Sequence, residues 1–123
     1  MKLLPYINAI YSISTYGASY VVRTAGGLSM PVAVSVELTN QCNLKCPGCA
    51  TGSEILTRPK GFIDIPTAEK IASSLKDYLL SVSLYFQGEP MLHPQFFEIT
   101  ERFRGINSII STNGHFLNRE NCR

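Results

Sequence analysis

The 123-residue sequence has no low-complexity tract, no internal repeat and no clustered run of basic residues. The first two absences, with 45% hydrophobic and 16% charged residues, leave an ordinary globular chain. One modest domain of this size buries about two-thirds of the surface its unfolded form exposes. A net charge of +2 without a basic face gives no electrostatic footprint for nucleic acid. Arg102, Arg104, Arg119 and Arg123 are spread among helix and loop residues near the C-terminus and read as a solvated surface. Nothing in the balance of charge argues for an acidic partner.

A continuous apolar run is missing as well. Leu3 to Val22 carries no charge between Lys2 and Arg23, and its length is enough to span a bilayer. Yet Pro5, Asn8, Ser12, Ser14, Thr15, Gly17 and Ser19 interrupt it, and the TAGGLSM stretch makes a poor cleavage site. The expectation is therefore no membrane span but an N-terminal helix. Tyr6, Ile7, Ile10, Ile13 and Tyr20 would form its buried side against the main domain. The four tyrosines of this segment read as packing or amphipathic surface rather than radical carriers.

What is present is a cluster of thiols. Three of the four cysteines sit within eight residues, which favours metal binding over a disulfide framework. With no convincing export signal, the compartment expected is the reducing cytoplasm.

After the GGLSMP turn, Val32–Leu38 is rich in Val and reads as a buried strand. Thr39–Ile63 has no period and contains Pro47, Gly48, Gly52, Pro59 and Gly61; a loop this long in a compact domain is usually functional. A helix follows, with Pro66 in its first turn, Asp64 or Thr67 as cap, and one stripe of Ala68, Ile71, Ala72, Leu75 and Leu79. Ser81–Phe86 alternates as a second strand and ends at QGEP. Pro94 opens a second helix through Arg104, its Phe96, Ile99, Thr100 and Phe103 facing a sheet, and Gly105 stops it. Asn107–Ser111 is a third strand, ended by STNG.

Strand, long loop, helix, strand, helix, strand implies an α/β fold with parallel pairing and right-handed crossovers. Ligands in such sheets bind beyond the carboxyl ends of the strands. The cysteine loop, QGEP and STNG all fall at that edge.

The loop reads CNLKCPGC, with Cys42, Cys46 and Cys49. Thiolates are the soft ligands of iron–sulfur clusters, and three of them leave one iron of a cube without a protein ligand. Pro47 and Gly48 let the chain wrap tightly. Structural zinc is the competing reading, but it takes four ligands, commonly in two pairs. The fourth candidate, Cys122, is far along the chain and reads as an ordinary thiol. A ferredoxin spacing is absent.

The C-x3-C-x2-C spacing directly after the first strand resembles that of the radical S-adenosylmethionine superfamily. Gly88, Glu89 and Pro90 look like that family's second-strand motif, which contacts the methionine amino group of the cofactor. Ser111, Thr112, Asn113 and Gly114, with the wording GEPMLHPQFFEI, are similar to the SPASM and molybdenum-cofactor-synthase branch. The likeness runs over roughly residues 32 to 118. Two positions depart from it: Gly48 stands where an aromatic is usual, and Gln87 where a first glycine is usual.

The resemblance implies a [4Fe–4S] cluster on Cys42, Cys46 and Cys49, with S-adenosylmethionine on the open iron. Gly88, Glu89, Pro90, Ser111 and Asn113 would bind the cofactor. Reductive cleavage would give a 5′-deoxyadenosyl radical that abstracts hydrogen from a substrate, by branch analogy a peptide. A one-electron donor such as flavodoxin or ferredoxin is implied. The family barrel has six βα units, so residues 32–123 are expected to be the first half of a partial (βα)6 TIM-like barrel behind an extension over 1–31. The competing function is a non-catalytic iron–sulfur electron-transfer or metal-binding module completed by Cys122, or an inactive fragment.

Overall fold

The computed structural model describes residues 2–23 and 29–122; residues 26–28 of the expected GGLSMP turn lie outside the described residues. The elements are α1 (Leu4–Val22), β1 (Ala33–Ser35), α2 (Ile65–Leu75), β2 (Ser81–Ser83), a 3-10 turn over Pro90–Leu92, α3 (Phe96–Arg102) and β3 (Asn107–Ile109). The strands form one parallel sheet in the order β1-β2-β3, with Val34 opposite Val82 and Val82 opposite Ser108.

The strands are shorter than their apolar patterns. The ladder continues past them through single bonds, Leu80 N–H to the Val32 carbonyl and Val36 N–H to the Ser83 carbonyl, each 2.8 Å. Beyond Val36 the chain leaves the sheet although Leu38 is fully buried. The Leu38 carbonyl accepts from Ile63 N–H at 2.9 Å, and Thr39 bridges Phe62 antiparallel. The returning end of the long loop thus claims the backbone groups that a longer β1 would have offered to β2.

Both helices after β1 cover one face of the sheet. Asp64 caps α2 by accepting from the Thr67 N–H at 2.7 Å, and Pro66 sits in the first turn, where a missing N–H costs nothing. Ala68 and Ala72 of the stripe are buried, and Phe96, Ile99 and Phe103 project from the α3 side to meet them over Val82 and Leu84. Burying each of the larger side chains contributes about 1.5–3 kcal/mol. Arg102 ties the two helices at the surface, 3.4 Å from Glu69 and 3.0 Å from Glu98. Gly105, at φ +87°, turns the chain out of α3 toward β3.

The N-terminal helix forms, but its expected buried side does not. Tyr6, Ile7, Ile10, Ile13 and Tyr20 are 48%, 51%, 67%, 73% and 79% exposed, and only Pro5 and Asn8 are buried. The reason is that α1 docks through a polar residue. The Asn8 amide donates to the Met30 and Tyr78 carbonyls at 3.0 and 3.2 Å and accepts from the Met30 N–H. Lys2 pairs with Asp77 at 2.8 Å. Turning Asn8 inward turns the isoleucines outward. Among the described residues no helix is long and apolar enough to cross a membrane.

Candidate functional site

The long loop after β1 is closed at its neck by buried polar side chains. Thr39 donates its hydroxyl to the Gly61 carbonyl at 2.7 Å; Asn40 donates to the Pro59 carbonyl and accepts from the Gly61 N–H, both at 2.8 Å. His93 secures the far end, its Nε2 lying 2.7 Å from the Ile63 carbonyl and its Nδ1 accepting from the Gln95 N–H. A carbonyl only accepts and an amide N–H only donates, so the proton is on Nε2. His93 is thus a buried structural residue at the entry to α3, as its place before Pro94 suggests.

The cysteines ride on the lobe above this neck. Cys46 is exposed, Cys42 and Cys49 are half-buried, and none of them is in a disulfide. The chain turns at Pro47-Gly48, where Gly48 takes φ +78°, and Cys49 N–H closes onto the Cys46 carbonyl at 3.2 Å. No heavy atom lies near the position of a Gly48 Cβ, so the missing aromatic leaves open space. Gly52 packs on the Cys46 backbone: a Cβ there would lie 2.6 Å from the Cys46 nitrogen. The Leu44 N–H points at the Cys42 sulfur from 3.4 Å.

The second turn is pressed against the base of the lobe. Gly88 has φ +75°, and a Cβ would meet the Gln41 and Thr39 carbonyl oxygens at 2.5 and 2.6 Å. Only glycine permits that approach, which brings Glu89 N–H to the Gln41 carbonyl at 2.8 Å. Thr51 on the lobe reaches Gln87 at 3.1 Å, and Glu37 accepts from both Arg58 and the Gln87 N–H. The hydrogen bond that Arg58 donates to Glu37 is the main cause that raises the Arg58 pKa above its ordinary value.

Glu89 is buried, 2% exposed, and its carboxylate is committed to the protein. One oxygen accepts from the Met91 N–H (3.0 Å) and the Thr112 hydroxyl (2.7 Å), the other from the Asn113 N–H (2.7 Å). Pro90, fully buried, opens the 3-10 turn behind it. The third turn is thereby fastened to the second. Asn113 then reaches the cysteine lobe, its side-chain amide donating to Asn43 at 2.9 Å and lying 3.9 Å from the Cys42 sulfur. Ser111 is exposed, two residues beyond the end of β3.

The three turns therefore form one hydrogen-bonded unit at the carboxyl edge of the sheet. The sequence marked Gly52 only as one of the loop's glycines, and did not reveal the roles of Thr51 or the Thr39–Asn40 latch. Their signal was only that small and amide-bearing residues flank the cysteines.

Among the described residues no group of three or more His, Cys, Asp or Glu side chains converges on a single metal ion. A cluster makes a different demand, since each thiolate binds its own iron. Three disulfide-free thiols on an open lobe, with N–H donors aimed at one sulfur, match that donor set. Cys122 is exposed, in the turn after Asn118.

A sequence profile of the radical SAM superfamily matches residues 36–123, a span holding all three turns. Pre-heme d1 synthase of Dinoroseobacter shibae is 31% identical over 94 residues, which cover 75% of this chain and 23% of that protein. Among solved structures, BtrN in complex with AdoMet and 2-DOIA aligns with a TM-score of 0.60 at 29% identity, covering 75% of this chain and 39% of BtrN. Selenomethionine BtrN in an open conformation aligns with a TM-score of 0.60 at 27% identity, over 77% of this chain and 44% of that one. The chain thus spans less than half the length of each of these relatives.

Proposed function

The chain belongs to the radical SAM superfamily, and from that premise we propose that it holds a [4Fe–4S] cluster on Cys42, Cys46 and Cys49 and binds S-adenosylmethionine beside it. Its three-stranded parallel sheet with flanking helices is part of the radical SAM fold. The observation that carries the reading is the coupling of the cysteine lobe to the second and third turns by Gly88, Glu89 and Asn113. A module that only carries electrons has no need for an amino-acid-binding edge built against its ligand loop. The AdoMet bound in BtrN supports the same cofactor.

When bound, the pair would supply one-electron cleavage of the sulfonium to a 5′-deoxyadenosyl radical, and the protein would supply its position. Gly88 lets the second turn approach the lobe and would offer its own carbonyl to the cofactor's amino group, since the Glu89 and Pro90 carbonyls accept from the Leu92 and His93 N–H groups. The Glu89 carboxylate accepts from Met91, Thr112 and Asn113, and its part in this reading is to position the third turn. Asn113 holds the Cys42 end of the lobe, exposed Ser111 would border the cofactor edge, and buried Pro90 would act on that edge by shaping the turn behind it. The substrate loses a hydrogen atom and, by analogy with the branch that residues 111–114 and the GEPMLHPQFFEI wording resemble, is a peptide. The electron comes from a donor such as flavodoxin or ferredoxin, in a reducing, cytoplasmic compartment that keeps the thiols free. Residues 1–31 precede the domain as an extension.

Anaerobic reconstitution tests this. The wild-type chain and Cys122→Ser are expected to take up about four irons, with a spectral change on adding S-adenosylmethionine. Cys42→Ser, Cys46→Ser and Cys49→Ser are each expected to lose the cluster. Loss in Cys122→Ser as well would replace this reading with four-cysteine ligation.

A further inference from the structure

The first 36 residues contain no acidic side chain; the first is Glu37. Within them, α1 is inverted relative to an ordinary surface helix. At 100° per residue, Asn8, Ser12, Thr15 and Ser19 fall on one narrow stripe. That is the stripe through which Asn8 docks. The remaining arc, about two-thirds of the circumference, is apolar apart from Ser14, whose hydroxyl donates to the Ile10 carbonyl. Its flanks at Tyr6, Ile7 and Tyr11 border clefts with the domain, and its centre faces away. Ile10, Ile13, Tyr16, Tyr20, Val21 and Val22 on it are 66–79% exposed.

An exposed apolar surface of this width marks an interaction site. Its shape and charge choose among occupants. A second helix covers one narrow seam, set by apolar residues at two positions of a heptad. Here the apolar groups are spread over the whole arc with no seam. A fluid apolar medium covers such an arc at once. Tyrosine, apolar in its ring and polar at its tip, is the residue suited to the boundary between that medium and water, and α1 presents Tyr6, Tyr11, Tyr16 and Tyr20.

Charge points the same way. Arg23 caps the C-terminal end of α1, and Lys76 lies beside its N-terminal end, where Lys2, Lys76, Leu80 and Ile106 line a 250 Å³ cleft. Arg23 and Lys76 form no ion pair among the described residues, whereas the nearby Asp77 is taken by Lys2. Cations bordering an apolar arc complement anionic lipid headgroups. Asn8 docks where the chain enters β1 and β2, at the amino edge of the sheet, opposite the cysteine lobe.

We propose that α1 lies in the interface of an anionic membrane, seating the protein by its amino edge with the cysteine lobe turned toward water. The helix rests on the bilayer and does not span it. The proposal is independent of what the cysteine lobe binds.

The chain has no tryptophan, so Ile13→Trp supplies a single reporter. The full chain carrying it is mixed with vesicles of phosphatidylglycerol and phosphatidylcholine, or of phosphatidylcholine alone. The expected result is a blue shift and quenching by brominated acyl chains with the anionic vesicles. Flotation with them is expected to fall about tenfold in Ile10→Ser/Ile13→Ser/Val21→Ser and severalfold in Arg23→Glu. An emission that vesicles leave unchanged overturns the proposal. So does an emission already blue-shifted without lipid, which with dimers in sedimentation assigns the arc to a second copy and with monomers to the chain itself.

Discussion

Glu89 and Asn113 are joined by a 2.7 Å hydrogen bond in which the Asn113 backbone N–H donates to the Glu89 carboxylate. The two residues stand on the turns after the second and third strands, and the Asn113 side chain continues the link to Asn43 and Cys42 on the lobe. A buried carboxylate with three donors is a charge-assisted junction, stronger than neutral hydrogen bonds of the same number. It sets the position of the third turn relative to the cysteines.

Glu89→Ala strands the Met91 and Asn113 N–H groups and the Thr112 hydroxyl together. It is expected to cost about 3 kcal/mol in denaturant unfolding. Glu89→Gln keeps the shape but offers one acceptor oxygen, and about 1–2 kcal/mol is expected. Hydrogen exchange localises the effect: the Asn113 amide should lose protection in both variants, while the Val82 amide in the sheet keeps it.

Gly88 and Gly48 share positive φ but differ in their surroundings, and alanine at each separates strain from clash. Gly48→Ala meets open space and carries only the left-handed penalty, about 1 kcal/mol. Gly88→Ala adds a Cβ against two carbonyl oxygens at 2.5 and 2.6 Å, so a loss above about 3 kcal/mol is expected. Equal effects in parallel unfolding curves would show that the Gln41 approach is not a constraint.

The alternation of Val82 and Leu84 and the stripe on α2 made the parallel α/β pattern and its helical cover legible, because both signals are local periodicities. Strand length was not legible, since the Leu38 carbonyl is claimed by Ile63 from across the loop. The orientation of α1 failed for a similar reason. Its isoleucines promise a buried side, but Asn8 finds partners at Met30 and Tyr78, 22 and 70 residues away. The cysteines were singled out by their spacing, and Gly88 by its likeness to the family's second-strand motif. Glu89 was named for its motif, yet its burial and its bonds to the third turn are long-range facts.

Asn113→Ala removes the amide near the Cys42 sulfur and the bond to Asn43. Hydrogen bonds to cluster sulfurs raise the reduction potential. The reconstituted variant is therefore expected to titrate at a lower potential and to release iron to a chelator faster. An unchanged potential in a redox titration would reduce Asn113 to a tie between loops.

Acid should uncap α2. The Asp64 carboxyl is held below its ordinary value by its hydrogen bonds with Thr67. The unfolded chain titrates this group near about 3.9, so the cap's contribution is fully present above that value. It is lost as pH falls through the lower folded-state value, where the folded carboxylate takes its proton. Urea unfolding of the wild type and Asp64→Ala should give a constant gap from neutral pH down to about pH 5, closing in stronger acid. The bond is a local cap rather than a long-range ion pair, so added salt should change the gap little. The Lys2–Asp77 pair differs on that point. The Asp77 carboxyl is lowered first by the hydrogen bond from Lys2 and then by its charge, so salt should weaken the tie that holds the start of α1. A salt-sensitive Asp64 gap, or one that widens in acid, would mean that Thr67 is not its main partner.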